Sequence, residues 1–211
     1  MLQPLPVTSL DLVLFLYYIR EFLISGQIES FYTLTLSFYT TRIVAIGYLK
    51  YTNDTSKGNA ANSTRFFLGK TIQDSTWHMI TSAVYSTATT FTGICGLVML
   101  LVVFGLPLFD QVEATWLASC FVGSLVILPA SNILGINEAA WTRFLTLKPE
   151  TPEEKELLHT LFACLGGMWV GGLATPLDWN QAWQIWPAPT FIGSFVGYSI
   201  ATLSTLSTLK V

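Results

Sequence analysis

Chemistry at a protein site needs acids, imidazoles or thiols at a usable spacing, and here those groups are few and scattered. The 211-residue chain holds 13 Asp and Glu, two histidines and three cysteines. His78 and His159 have no neighbouring Cys, His, Asp or Glu at metal-ligand spacing, so each reads as an interfacial or hydrogen-bonding residue. Cys95, Cys120 and Cys164 sit in apolar stretches and read as small packing residues. There is no HExxH, no nucleophile elbow and no Gly-rich phosphate loop. Glu153, Glu154 and Glu156 follow Thr151-Pro152, a helix start in which Thr151 caps and the acids favour the positive helix end. No catalytic residue, metal site or cofactor is expected. One acid remains of interest, Asp178, because of the aromatic motif around it.

The elements that position these groups follow from composition. Hydrophobic residues make up 52% of the chain and charged residues only 11%, where a soluble domain runs at about 25% charged. Mean hydropathy is +0.54. The net charge of −3 offers no basic field for a phosphate backbone. These figures exclude a soluble enzyme, a disordered chain and a nucleic-acid binder. They predict an all-α, polytopic membrane protein forming a single membrane domain over residues 1–211.

A spanning helix needs about 20 mostly apolar residues, so gaps between charges mark the expected spans. They fall at about 5–24, 30–51, 77–104, 114–136, 157–175 and 189–209, a six-transmembrane-helix bundle. Arg42 lies inside the second and must snorkel or pair with an acid on a neighbouring helix. No Lys or Arg precedes Arg20 and no small-x-small site follows the first apolar run, so no cleaved signal peptide is expected. With six spans, Lys50, Lys57, Arg65, Lys70, Arg143, Lys148, Lys155 and Lys210 share one side. The positive-inside rule then makes both termini cytosolic and the Asp178 loop lumenal. The sequons at Asn53 and Asn62 lie in a loop assigned to the cytosol, so both are expected to be unmodified.

Span five ends near Thr175-Pro176, and Asp178 with Gln181 has the spacing of a capping box. Trp179, Trp183 and Trp186 recur at i, i+4, i+7, which predicts a short lumenal interfacial helix ended by Pro187 and Pro189. That element reads as an aromatic belt on a capped turn, as a contact surface for a lipid headgroup or partner, or as both. Small residues repeat every four positions at Ala163, Gly167 and Gly171 and at Gly193, Gly197 and Ala201. Such faces let helix backbones approach, here on each other or on a separate protein. Span three carries Thr81, Ser82, Ser86, Thr87, Thr89, Thr90 and Thr92, hydroxyls that bond back to their own helix or across to a neighbour.

Pro176-Leu177-Asp178-Trp179, Trp183-Gln184, Trp186-Pro187 and Gly193 to Gly197-Tyr198 resemble the C-terminal signature of the PIG-F family, as do Phe104 to Leu108 and Leu134 to Phe144. The resemblance runs colinearly from about Leu97 to Tyr198. The chain departs from it at Asn180, Gln181 and Ala182, where the family pattern has an acid, an Arg and a Pro. The resemblance implies an endoplasmic reticulum membrane protein of glycosylphosphatidylinositol (GPI) anchor synthesis. It implies a non-catalytic, stabilising subunit of a GPI ethanolamine phosphate transferase, paired with a large catalytic subunit of PIG-O or PIG-G type. The membrane lipids involved would be phosphatidylethanolamine and the GPI precursor. On that reading Asp178, Trp179, Trp183, Trp186 and Pro187 form a lumenal lipid or partner contact. Gly167, Gly171, Gly193 and Gly197 serve helix packing, and Asn137, Trp141 and Arg143 anchor the cytosolic end of span four. Two rivals stay open: an integral-membrane enzyme acting on a lipid headgroup through Asp178 and a second acid such as Glu113, and a lipid or small-solute transporter. A transporter needs paired repeats or broken helices, and only Pro129 interrupts span four.

Overall fold

The computed structural model describes residues 9–60, 68–103, 111–176, 181–184 and 186–208. Every regular element among them is helical: α1 (Ser9–Ser25), α2 (Glu29–Ala60), α3 (Leu68–Val103), α4 (Val112–Val122), α5 (Leu128–Leu134), α6 (Glu138–Leu145), α7 (Pro152–Gly172) and α8 (Ala188–Thr208). A five-residue π-turn, Gly123–Ile127, joins α4 to α5 without a break. Pro129 explains it. An α-helix would need an amide at 129 to bond the carbonyl of residue 125, and the ring would press on that carbonyl; a wider turn relieves both.

Two helices among the described residues are long and apolar enough to cross a membrane, Ala83–Val103 and the continuous α4–α5 unit Val112–Leu134, with mean hydropathies of 1.8 and 1.9. The expected six-transmembrane-helix bundle is therefore corrected. Charge gaps locate helices but do not measure apolar content. α1 is 17 residues long and carries Asp11, Arg20 and Glu21. α2 carries Arg42, Lys50, Asp54 and Lys57. α7 opens on four charged residues and closes on glycines, and α8 is diluted by Ser, Thr and Gly. Of the expected short interfacial helix, the described part Ala182–Gln184 is a single 3₁₀ turn; Trp179 lies outside the described residues.

The Val112–Leu134 helix is the central post, with 83% of its apolar window buried. An aromatic stack binds α1, α2 and α8 to it. Phe15 lies on Phe195 with centroids 4.0 Å apart, Phe31 meets Phe191 at 4.4 Å, and Phe121 meets Phe191 at 4.6 Å and Phe38 at 5.3 Å. Such pairs add about 0.5–1.5 kcal/mol each beyond the area they bury. Gly123 lets this contact close: a Cβ there would stand 2.7 Å from Ile94 Cγ1 and 3.2 Å from the Tyr39 hydroxyl. A second core of Ala130, Leu134, Ala140, Phe144, Leu157 and Leu158 ties α5, α6 and α7 together.

The hydroxyls of α3 divide as their chemistry allows. Thr87, Thr89 and Thr92 donate back to carbonyls of their own helix. Ser86 and Thr90 reach Ser131 on α5 at 2.8 and 3.3 Å, and Asn132 Nδ2 donates to Ser86 Oγ at 2.9 Å. The two membrane-crossing helices are thus pinned by a polar cluster, which in an apolar medium is satisfied only while they stay together.

Candidate functional site

Among the described residues, α7 and α8 approach each other closely enough for their backbones to touch. They run antiparallel, with Ala163 facing Gly197, Gly167 facing Gly193 and Gly171 facing Pro189. A Cβ added at Gly167 would lie 2.9 Å from the Gly193 carbonyl carbon and 3.3 Å from the Gly197 Cα, with the Gly193 carbonyl oxygen nearer still. The backbones therefore touch, and the small residues of the two helices are spent on each other. Each side chain that is missing removes a spacer, which is why the four-residue repeat of small residues closes this seam.

Along the outside of the seam runs an open apolar groove of about 540 Å³. Gly166, Val170, Ile192, Val196 and Ile200 line it, and Trp183 closes one end. Val170 and Ile200 are each 61% exposed. The floor at Gly166 is open space, since a Cβ there would meet nothing within 4 Å.

The end of the groove is held by a residue that sequence reasoning passed over. Gln184 is buried; its Oε1 accepts the Gln181 N–H at 3.1 Å and its Nε2 donates to the Ala174 carbonyl at 3.0 Å. It ties the 3₁₀ turn to the end of α7. The only signal for it in sequence was an uncharged amide between two tryptophans. Trp183 and Trp186 are half-buried and Pro187 is buried at the head of α8. Asp178 and Trp179 lie outside the described residues, as does the rest of 177–180. The lumenal position given to this segment rested on six crossings and is withdrawn with them.

The expected anchor residues lie together around α6. Asn137 caps α6, its Oδ1 accepting the Ala140 N–H at 3.2 Å. Trp141 Nε1 donates to the Gly135 carbonyl at 2.8 Å. Arg143 grips Glu154 through Nε at 3.1 Å and Nη2 at 2.5 Å. Glu154 also accepts the amides of Glu150 and Thr151, and Thr151 returns a bond to the Glu154 N–H, a complete capping box. The Arg143 guanidinium and these amides hold the Glu154 carboxyl well below the usual range, at about 2.

Arg42 finds its acid on α1. Its Nη2 lies 3.0 Å from Asp11 Oδ2, both side chains are 3% exposed, and its guanidinium carbon sits 5.2 Å from the Tyr198 ring centroid. One buried charge pair therefore joins α1, α2 and α8. Elsewhere the Tyr32 hydroxyl donates to Glu113, linking the starts of α2 and α4. Among the described residues no three His, Cys, Asp or Glu side chains come close enough to hold a metal ion. Among the described residues the geometry offers helix packing and an apolar surface.

These features define a class: a helical, multi-pass membrane protein in which Asp11, Arg42, Arg143 and Glu154 are held in ion pairs between elements. The model of the GPI biosynthesis protein family Pig-F matches residues 7–206, and the chain belongs to that family. It is 32% identical over 101 residues to the human GPI ethanolamine phosphate transferase, stabilizing subunit, covering 47% of this chain and 46% of that one. It is 34% identical over 104 residues to a PIGF/3-ketodihydrosphingosine reductase fusion protein of Schizosaccharomyces pombe, covering 49% of this chain and 21% of that one. To the Saccharomyces cerevisiae glycosylphosphatidylinositol anchor biosynthesis protein 11 it is 28% identical over 108 residues, covering 48% and 42%. The chain thus spans less than half the length of each of these relatives. No solved structure matches it.

Proposed function

We propose that the chain is a non-catalytic, stabilising membrane subunit of a GPI ethanolamine phosphate transferase, working in the endoplasmic reticulum membrane. The observation that carries this reading is the apolar groove on α7 and α8. The two helices have already satisfied each other through their glycines, so the exposed Val170, Val196 and Ile200 are surplus to the fold and available to an apolar helix of a large catalytic subunit. Family membership and the human and mouse relatives, each named as a stabilizing subunit of GPI ethanolamine phosphate transferase, support it. The partner would be of PIG-O or PIG-G type, with phosphatidylethanolamine and the GPI precursor bound on that partner.

With the two crossings found among the described residues, we read both termini as sharing one side. All ten Lys and Arg residues lie outside the 104–111 connection, which makes the shared side cytosolic by the positive-inside rule. Asn53 and Asn62 then face the cytosol and stay unglycosylated.

Affinity capture of the tagged chain in mild detergent tests the reading. A large phosphoethanolamine-transferring subunit is expected to co-purify. Gly166→Trp sets a bulky side chain in the groove from a position where a Cβ meets nothing within 4 Å, and is expected to abolish that recovery. A chain that transfers phosphoethanolamine when purified alone would refute the proposal.

A further inference from the structure

Segment 135–148 follows directly on a membrane-crossing helix, and it wears apolar side chains on its outside. The inner face of α6 is filled, with Ala140 and Phe144 packed on Leu134, Leu157 and Leu158. Yet Ile136 is 70% exposed, Leu145 73% and Leu147 55%. The backbone supplies a second, independent observation. Lys148 N–H bonds the Arg143 carbonyl at 2.9 Å and Leu147 N–H bonds the Phe144 carbonyl at 3.3 Å. These two bonds close a helix through a left-handed residue, a position that belongs to Gly or Asn. Here it is Leu147, at φ +58°. A side chain that strains its backbone in order to face water has no compensation in water. Connectivity supplies the third observation. Ile136 is two residues beyond Leu134, the last residue of the crossing helix, so the segment begins at the bilayer boundary.

We infer that segment 136–147 rests on the membrane leaflet, with Ile136, Leu145 and Leu147 immersed among the upper acyl carbons. The exposed Lys148 then stands at the level of the lipid phosphates, a basic residue beside an apolar edge as at a membrane interface. The lipid surface is the occupant favoured over a protein because the segment begins two residues beyond the end of a crossing helix, at the depth of the headgroups. The inference rests on the crossing of Val112–Leu134 and needs no transferase.

The test uses the full chain, purified without partner and placed in vesicles of phosphatidylcholine with a minor share of phosphatidylserine. The native cysteines are replaced by Ala, and nitroxide labels are attached to Leu145→Cys and, separately, Leu147→Cys. Phe91→Cys, on the exposed side of α3 within the other crossing helix, marks the acyl region. Glu150→Cys, exposed in the polar turn, marks water. Labels at 145 and 147 are expected to relax several-fold more with oxygen than with a polar nickel chelate, as at 91 and opposite to 150. Water-like behaviour at both positions while 91 remains oxygen-accessible would overturn the inference and leave the transferase reading untouched. Shielding of both labels from both reagents would also overturn it, since protein would then cover the segment. Position 145 is free of the Leu147 backbone strain, so a folding defect at 147 does not remove the test.

Discussion

A methyl group at the α7–α8 seam is the sharpest perturbation available. In Gly193→Ala the new Cβ would stand 2.8 Å from the Gly167 carbonyl carbon and 3.2 Å from the Gly171 Cα, with the Gly167 carbonyl oxygen nearer still, whereas ordinary contact begins at 3.4 Å. These are backbone atoms and cannot rotate away, so the helices must part by roughly 1 Å, enough to forfeit a quarter to a half of the dispersion attraction at each touching pair. Overpacking of this kind costs about 1–3 kcal/mol, and the loss is repeated at three facing levels, which puts the expected cost near the top of that range. The reporter is built in. Cys164 is fully buried beside the seam, its backbone nitrogen 3.3 Å from the position of a Cβ on Gly197. With Cys95 and Cys120 replaced by Ala, a thiol-reactive fluorophore reads thermal opening as Cys164 becomes accessible. Gly193→Ala is expected to lower the midpoint clearly. Gly166→Ala on the same helix pair, where a Cβ meets nothing within 4 Å, should be neutral or raise it through better helix propensity. Equal midpoints for the two variants would refute the backbone-contact argument.

Other expectations use the same thermal assay. Asp11→Asn strands the Arg42 charge inside the bundle and should cost about 3–5 kcal/mol, while Asp11→Leu with Arg42→Met should recover most of it; a double variant as weak as the single would sink this. Glu154 has its folded pKa below its unfolded value, so its pairing with Arg143 contributes fully above about pH 4.3 and drains as pH falls toward 2. Arg143 is partly in water, so the contribution is small, and Glu154→Gln should remove that part of the acid sensitivity. Leu147→Gly should unfold later than Leu147→Val, by about 1–2 kcal/mol, because only glycine accepts φ +58° without strain.

The places where sequence reading succeeded are those governed by neighbours along the chain. Thr151, Pro152 and Glu154 lie within four residues, and their capping box follows from side-chain reach alone. The uninterrupted apolar runs around Ala83–Val103 and Val112–Leu134 are visible by composition. The Pro-Leu-Asp-Trp block and its downstream partners carry the family resemblance. Reading charge gaps as spans failed where Ser, Thr and Gly fill the gap, because the absence of charge is a weaker condition than the presence of apolar area. Periodicity has meaning only inside a helix, and the described part of the tryptophan segment, Ala182–Gln184, is one 3₁₀ turn.

By itself, then, the order of residues determined a helical, charge-poor membrane chain, its caps, and the helix faces able to pack closely. Tertiary structure alone decided that Asp11 neutralises Arg42 across 31 positions, that the glycines of α7 meet those of α8, and that Gln184 ties the 3₁₀ turn to the end of α7. Each of those is a contact between residues distant in the chain, and its free energy depends on what else is buried beside it, a quantity that no local spacing records.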